Sequence, residues 1–110
     1  MSAIRIDVGK SYSRYPAGRF ASDGPYSGEK FREHVLLPHL RRRAHIEVVL
    51  DNTAGYGSSF LEEAFGGLVR AGIAKRDLSE LLVLITDDEG LKEEILGYMD
   101  DEYRRSHGRG

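Results

Sequence analysis

Residues 3–8 alternate between apolar and polar side chains, with Ile4, Ile6 and Val8 on one side of the pattern. A period of two is typical of a β-strand that has one face in the core. The pattern therefore predicts a first strand here. A short second strand is predicted over residues 19–21, where it would pair with the first strand as a hairpin.

Two continuous apolar runs predict further strands. Residues 46–50 are mostly β-branched and apolar, which favours a central strand. Residues 81–86 form the most apolar run in the chain, as expected for a strand covered on both faces.

Three segments have the 3.6-residue period of amphipathic helices, namely residues 28–37, 60–71 and 89–104. Ser27 is predicted to cap the first helix, and Pro38 to stop or kink it. Gly66 and Gly67 lie inside the second helix, where each glycine costs about 1 kcal/mol relative to alanine. This cost indicates a close approach of that helix to the sheet. Gly72 is predicted to end it.

Charged residues on the outer faces of these helices are predicted to face water. On the first helix they are Lys30, Arg32 and Glu33, and on the second helix they are Glu62 and Glu63.

The element order predicts an α/β fold, a single small domain with a mixed β-sheet and the order β-β-α-β-α-β-α. The chain has 110 residues, a typical length for one domain. We assign the domain to residues 1–104 and a flexible C-terminal tail to residues 105–110.

Composition and charge exclude several classes of function. The net charge of −2 argues against a nucleic-acid binder, and the absence of cysteine excludes thiolate metal sites and cysteine nucleophiles. No apolar run approaches the roughly 20 residues of a membrane span, and no signal peptide is recognisable. The expected location is the cytoplasm. We interpret Arg41–Arg43 as the solvent-exposed end of the first helix, and the alternative is that they form a phosphate-binding patch.

The most informative stretch is Val48–Gly72, a strand, a glycine-rich turn and a helix. Ser58 and Ser59 close the turn, and two interpretations stay open. A serine hydroxyl at a helix N-cap stabilises by about 1 kcal/mol without any further function. Alternatively, a phosphate on Ser58 would lie at the positive end of a helix and would alter a partner-binding surface.

Catalytic and metal sites are not supported by the spacing of residues. Leu61 replaces the second glycine of a G-x-S-x-G elbow, and no lysine precedes the serine as in a P-loop. His34, His39 and His45 are spaced by five and six residues, whereas metal pairs on a helix need a spacing of four. We therefore predict no enzyme activity, no cofactor and no metal.

Charged residues also lie in the rigid stretch before the first helix. Arg19 and Asp23 are predicted to form a local ion pair that holds the turn. The alternative is a polar rim beside the Ser58 turn, to which Glu29 would contribute.

The sequence resembles a known family. The stretches that carry the resemblance are residues 16–19, residues 23–32 and residues 55–68, which read PAGR, DGPYSGEKFR and GYGSSFLEEAFGGL. They are similar to a bacterial STAS-like family of unknown function, and more distantly to the STAS domain of anti-sigma factor antagonists. In those antagonists a D-S-[ST]-G motif opens the helix, whereas Gly57 and Phe60 replace its aspartate and glycine here.

The resemblance implies a regulatory module that binds an anti-sigma factor or a histidine-kinase-like ATPase, with Ser58, or the adjacent Ser59, as the phosphorylation site. The residues expected to contact the partner are Tyr56, Gly57, Ser58, Ser59, Glu62, Arg19 and Asp23. Two other functions stay open, a nucleotide or small-anion sensor that uses the same loop and an accessory protein of nucleic-acid metabolism. The oligomeric state is also open, a homodimer included.

Overall fold

Three parallel strands form the sheet of this protein. The computed structural model describes residues 3–107. Strands β1 (Ile4–Asp7), β2 (Ile46–Val49) and β3 (Leu82–Ile85) lie in the order β1-β2-β3, so β2 pairs on both sides. The result is a small α/β domain with its helices in the connections between strands.

The predicted mixed sheet and hairpin are wrong. Residues 19–21 form no strand, and Ala21–Asp23 form a 3-10 turn instead. The main-chain N–H groups of Arg19 and Phe20 donate to the Asp23 carboxylate at 3.2 and 2.8 Å. The N–H of Ala21 donates to the carboxylate of Glu29 at 2.7 Å. Because side chains take these donors, they are not available for pairing with β1.

Apart from the 3-10 turn and a separate π-helical turn at Val8–Tyr12, the described residues contain four helices, and two of these contain a π-helical turn. Helix α1 consists of Gly28–Lys30, the π turn Phe31–Leu36 and Leu37–Arg41. Helix α2 consists of Ser58–Leu61, the π turn Glu62–Gly66 and Gly67–Arg70. Helix α3 is Lys75–Leu81, and helix α4 is Glu89–His107. The observed order is therefore β-α-β-α-α-β-α. None of the described helices is long and apolar enough to cross a membrane.

The ends of two helices differ from the predictions. Helix α1 continues beyond Pro38, because the N–H of Leu37 reaches back to the carbonyl of Arg32 in the π turn. Pro38 then stands in the first turn of the next α-helical segment, where a missing N–H costs little. Helix α4 includes residues 105–107 of the predicted tail, and residues 108–110 lie outside the described residues.

The predicted cap of α1 is confirmed. The Ser27 hydroxyl accepts from the N–H of Lys30 at 3.1 Å, and Ser27 is fully buried. Gly72 follows α2 with a φ of 100°, a conformation that favours glycine, as the sequence predicts.

The helices cover one face of the sheet, and the core lies between them. The buried side chains of the sheet alternate along the strands and are those of Ile6, Ile46, Val48, Leu82 and Leu84. The opposite face carries a row formed by Arg5, Glu47 and Val83. The Arg5 guanidinium is 3.1 Å from the Glu47 carboxylate, and Val83 is 47% exposed.

The row on the open face corrects the prediction for residues 81–86. This run was predicted to be a strand covered on both faces, yet Leu81 ends helix α3 and Val83 faces outward. Leu96 on α4 is also 43% exposed. The sequence of β3 is entirely apolar and does not reveal that one face of the sheet is open. The polar residues on that face, Arg5 and Glu47, belong to the other two strands.

Close packing of helices explains why glycine occupies positions 28, 66 and 67. A Cβ on Gly28 would lie 2.5 Å from the carbonyl oxygen of Phe60, so α1 begins directly against the first turn of α2. A Cβ on Gly67 would lie 2.3 Å from the Arg32 guanidinium, and one on Gly66 would face Glu62 and the main chain of Tyr98. The predicted approach of Gly66 and Gly67 to the sheet is therefore wrong, since both glycines make room for side chains and helices.

Candidate functional site

The loop between β2 and α2 lies at the carboxyl ends of the parallel strands, the edge where α/β folds build sites. Asp51 follows β2 and is bound by residues that follow β3. Its carboxylate accepts from the hydroxyl of Thr86 and, at 2.8 Å, from the N–H of Asp87. These bonds, the one from Thr86 first, lower the pKa of Asp51. The start of the loop is thus fixed to β3.

The same loop is also fixed to the end of β1. The Asn52 side chain donates to the Asp7 carboxylate at 2.7 Å. A Cβ on Gly9 would lie 1.9 Å from the carbonyl oxygen of Asn52, so this close approach requires glycine. Contacts with both neighbouring strands therefore hold the loop in place.

Tyr56 is half-buried and anchors the turn from inside. Its hydroxyl donates to the carbonyl of Leu50 at 2.9 Å, and its ring centroid is 5.9 Å from that of Phe60. Burial raises the pKa of Tyr56 to about 12. The hydroxyl of this predicted partner-binding residue is therefore already engaged within the chain.

Ser58 and Ser59 are exposed and lie in the first turn of α2. The capping interpretation of these serines is wrong, because Gly57 occupies the N-cap position and offers no side-chain acceptor. The helix begins at Ser58, two residues before the predicted start at Phe60. Both hydroxyls therefore lie beside the positive end of the helix without serving as its cap.

Ser58 also lies against helix α4. The Tyr98 hydroxyl donates to the Glu94 carboxylate at 2.6 Å. This bond, followed by burial, raises the pKa of Tyr98, while a hydrogen bond with Ser58 counteracts the shift. The sequence shows only that Glu94 and Tyr98 share a helix face at a spacing of four. Nothing in the local pattern places that face next to Ser58.

Arg19 binds helix α2 rather than its predicted partner. Its guanidinium lies 2.5 Å from Glu62 and 3.3 Å from Glu63, whereas Asp23 accepts only main-chain N–H groups in this region. The predicted Arg19–Asp23 ion pair is therefore wrong. Because Glu62 follows Ser58 by four residues, Arg19 reaches the helix face on which Ser58 lies.

A network of ion pairs continues inward from Glu62. Glu63 is 8% exposed, and the Arg32 guanidinium donates to its carboxylate at 2.8 Å and to its main-chain oxygen at 2.7 Å. Arg70 lies 2.7 Å from Glu62 and 2.9 Å from the buried Glu102 of α4. The expectation that Arg32, Glu62 and Glu63 face water is wrong, because together they join α1, α2 and α4.

The charges of this network perturb one another. Hydrogen bonds from Arg70, and then from Arg19, lower the pKa of Glu62. The same bond to Glu62 is the main cause that raises the pKa of Arg70. These hydrogen bonds therefore stabilise the ionised forms of Glu62 and Arg70.

A cleft of about 340 Å³ lies beside the loop, between it and the start of α4. Its lining includes the carboxylates of Asp51, Asp88 and Glu94. Within residues 3–107, no group of three histidine, aspartate or glutamate side chains is placed to hold a metal ion. The local charge disfavours phosphate groups in the cleft.

Comparison with known proteins gave one match. Residues 27–91, more than half of the chain, match a protein-family model described as a STAS-like domain of unknown function (DUF4325). The matched stretch contains α1, the loop, α2 and β3, whereas Arg19, Asp23 and Tyr98 lie outside it. No curated protein and no solved structure matched the chain.

Proposed function

The chain belongs to the family of STAS-like domains of unknown function, and we propose that it is a small non-catalytic interaction module. It binds a protein partner through Gly55–Phe60 and the first turns of α2, and phosphorylation of Ser58 switches the binding. The partner class is an anti-sigma factor or a histidine-kinase-like ATPase, which is the class that the resemblance to anti-sigma factor antagonists implies. The observation that carries the proposal is the exposed Ser58 at the first position of a helix without a side-chain cap.

A phosphate on Ser58 would change the local charges in two ways. It adds a charge of about −1.5 to −2, which the N–H groups of the first helical turn attract. The Glu94 carboxylate is held by Tyr98, and Tyr98 contacts Ser58, so the phosphate would meet a negative neighbour on α4. The modification would then weaken the Ser58–Tyr98 contact and add negative charge to the surface that binds the partner.

Features around the loop support a protein partner. The N–H of Ala54 donates to the carbonyl of Arg14 at 2.8 Å, which holds the segment before Tyr15 against the loop. Tyr15 is 69% exposed. Tyrosine and arginine are enriched among residues that dominate binding energy in interfaces. Tyr15, the Arg19–Glu62 pair and Ser58 thus provide aromatic, charged and modifiable groups near one loop.

The other candidate functions have less support. Asp51, Asp88 and Glu94 line the cleft beside the loop and would repel a nucleotide phosphate or another anion. For nucleic acid, three of the five arginines in Arg41–Arg43 and at 104 and 105 are already paired with acids, Arg43 with Asp77 and Glu80, Arg104 with Asp101 and Arg105 with Glu102. Neither function is favoured by a specific contact.

Partner capture from the native host tests the proposal. The wild-type chain and the variants Ser58→Asp, Ser58→Ala and Ser59→Asp would serve as baits, with the prey identified by mass spectrometry. We expect one regulatory protein to bind the wild type and Ser58→Ala and to be lost with Ser58→Asp. Ser59→Asp adds the same charge one residue later, so comparison with Ser58→Asp shows which of the two serines controls the binding.

Intact mass of the chain purified from its native host tests the modification itself. Phosphorylation adds about 80 Da, and the added mass should disappear in Ser58→Ala. Absence of the heavier species under every growth condition, together with unchanged capture by Ser58→Asp, would refute the switch.

A further inference from the structure

The outer edge of β3 has no partner strand among the described residues, although the N–H of Leu82 at its start donates to the carbonyl of Leu78 in α3. Among the described strands, β3 pairs only with β2. The N–H of Leu50 donates to the carbonyl of Ile85 at 3.0 Å, so the main-chain groups of Ile85 face β2. Because these groups point alternately left and right along a strand, those of Leu84 face away from the sheet. The edge therefore presents a main-chain donor and acceptor between apolar side chains.

The two edges of the sheet differ in how they are protected. Strand β1 carries Arg5 and Asp7, and charged side chains on an edge discourage pairing with other chains. Strand β3 consists of four apolar residues, Leu82–Ile85, and carries no charge. An apolar edge without charged residues is the kind of edge that a further strand covers.

An apolar groove lies beside this edge, between α3 and α4. It has a volume of about 270 Å³, and its apolar lining is formed by Val69, Leu78, Leu82, Leu84, Leu96 and Met99. Leu96 is 43% exposed, and Val83 on the other face of β3 is 47% exposed. Lys75 and Asp100 lie at the rim, 3.3 Å apart. A strand added to β3 would cover both exposed apolar side chains.

We propose that this edge binds a second copy of the chain, with the two β3 strands antiparallel across a twofold axis. Leu84 would then face Leu84 of the second copy, and the two sheets would form one sheet of six strands. The rim favours this occupant, because it carries one cation and one anion. A twofold axis places Lys75 of each copy towards Asp100 of the other, whereas a partner of a single charge would be repelled by one of them.

The charged edge of β1 excludes the main alternative arrangement of copies. Pairing of β3 with β1 of the next copy would place Arg5 and Asp7 against an apolar strand, and it would continue without closing. Pairing of β3 with itself closes after two copies. The structure therefore favours a discrete dimer, and this surface is separate from the Ser58 loop.

The mass of the chain in solution, measured by sedimentation equilibrium, tests the proposal. At a concentration of roughly 0.1 mM, association with a Kd of about 1 µM would be nearly complete, so the wild type should have twice the chain mass. Val83→Lys and Leu96→Glu should have the mass of one chain with unchanged circular dichroism, because both side chains are exposed. Phe20→Lys, which alters an exposed apolar residue away from this edge, should stay dimeric. A monomeric wild type, or dimers that persist in both edge variants, would overturn the proposal.

A charge exchange at the rim tests the twofold arrangement. Lys75→Glu gives a rim with two anions and Asp100→Lys a rim with two cations, so each variant alone should dimerise more weakly than the wild type. A mixture of the two variants should recover the association, because each mixed dimer combines opposite rims. Both side chains are about half exposed, and the ion pair within one chain contributes little to stability. A mixture that associates no better than its components would overturn the twofold contact.

Discussion

The Arg19 guanidinium lies 2.5 Å from the Glu62 carboxylate, which joins the segment before α1 to the face of α2 that carries Ser58. We predict that Arg19→Ala lowers the free energy of unfolding by about 0.5–1 kcal/mol, since both side chains are partly exposed. Urea unfolding at neutral pH measures the loss.

A double-mutant cycle separates this contact from the turn that contains Asp23. Asp23 binds the main chain of residues 19 and 20, so the effects of Arg19→Ala and Asp23→Ala should add. The effects of Arg19→Ala and Glu62→Gln should not add. Coupling of Arg19 with Asp23 instead of Glu62 would contradict the observed contact.

Glu62 should make stability depend on acid pH. Its pKa in the folded chain lies below the ordinary value of 4.5, so the unfolded chain binds the proton first as pH falls. The contribution of Glu62 is therefore complete above about pH 4.5 and is lost as pH falls through the lowered pKa. Urea unfolding at a series of pH values should show a shallower acid loss in Glu62→Gln. An unchanged acid profile in this variant would show that Glu62 is not stabilised by its arginines.

Tyr56→Phe removes a hydrogen bond at the base of the loop. The hydroxyl donates to the partly buried carbonyl of Leu50, so we predict a loss of about 1 kcal/mol at neutral pH. Tyr15→Phe, on an exposed ring, is the control and should be close to neutral.

The same tyrosine should affect stability in alkali. Burial raises the pKa of Tyr56 from 10.0 to about 12, so the unfolded chain loses its proton first and stability falls as pH rises from 10 to 12. When tyrosine ionisation is followed by absorbance, Tyr56→Phe should have one tyrosine fewer that ionises at the high-pH end of the titration. A titration identical to that of the wild type would contradict the burial of this hydroxyl.

Two glycines in helices should respond in opposite directions to alanine. A Cβ on Gly28 would meet the main-chain oxygen of Phe60 at 2.5 Å, so Gly28→Ala should destabilise by roughly 1–3 kcal/mol. A Cβ on Gly97 has no neighbour within 4 Å, and Gly97→Ala should stabilise by roughly 0.5–1 kcal/mol. Thermal unfolding of both variants compares them directly. If the two variants changed stability by the same amount, α1 and α2 would have to move apart to accommodate the Cβ at position 28.

Local patterns predicted the elements that depend on local physics. The alternation at Ile4 and Ile6, the apolar run at residues 46–50 and the hydroxyl of Ser27 correspond to two strands and a cap. Helix α3 was not predicted, because its segment contains apolar residues only at Leu78 and Leu81, and Leu81 also suits a strand. A short helix that is stabilised mainly by tertiary packing leaves little signal in sequence.

The site was predicted less completely than the fold. Glycines and serines indicated the exposed turn, and Ser58 is exposed at the helix start. The contacts of Arg19 with Glu62 and of Tyr98 with Ser58 were not predicted, since each joins residues that are far apart in sequence. Such pairs depend on how helices cross, and the spacing of residues within one helix carries no information about it.

The parallel sheet has a consequence for the growing chain on the ribosome. Ile4 pairs with Ile46, and Ile46 pairs with Leu82, so none of the three described strands has a partner that is close in sequence. The sheet cannot begin before β2 has emerged, and it stays incomplete until Ile85 is synthesised. During that interval the apolar residues of β1 and β2 have no complete core, and such segments are prone to aggregate. The protein therefore depends on β3 to protect the two strands that are synthesised before it.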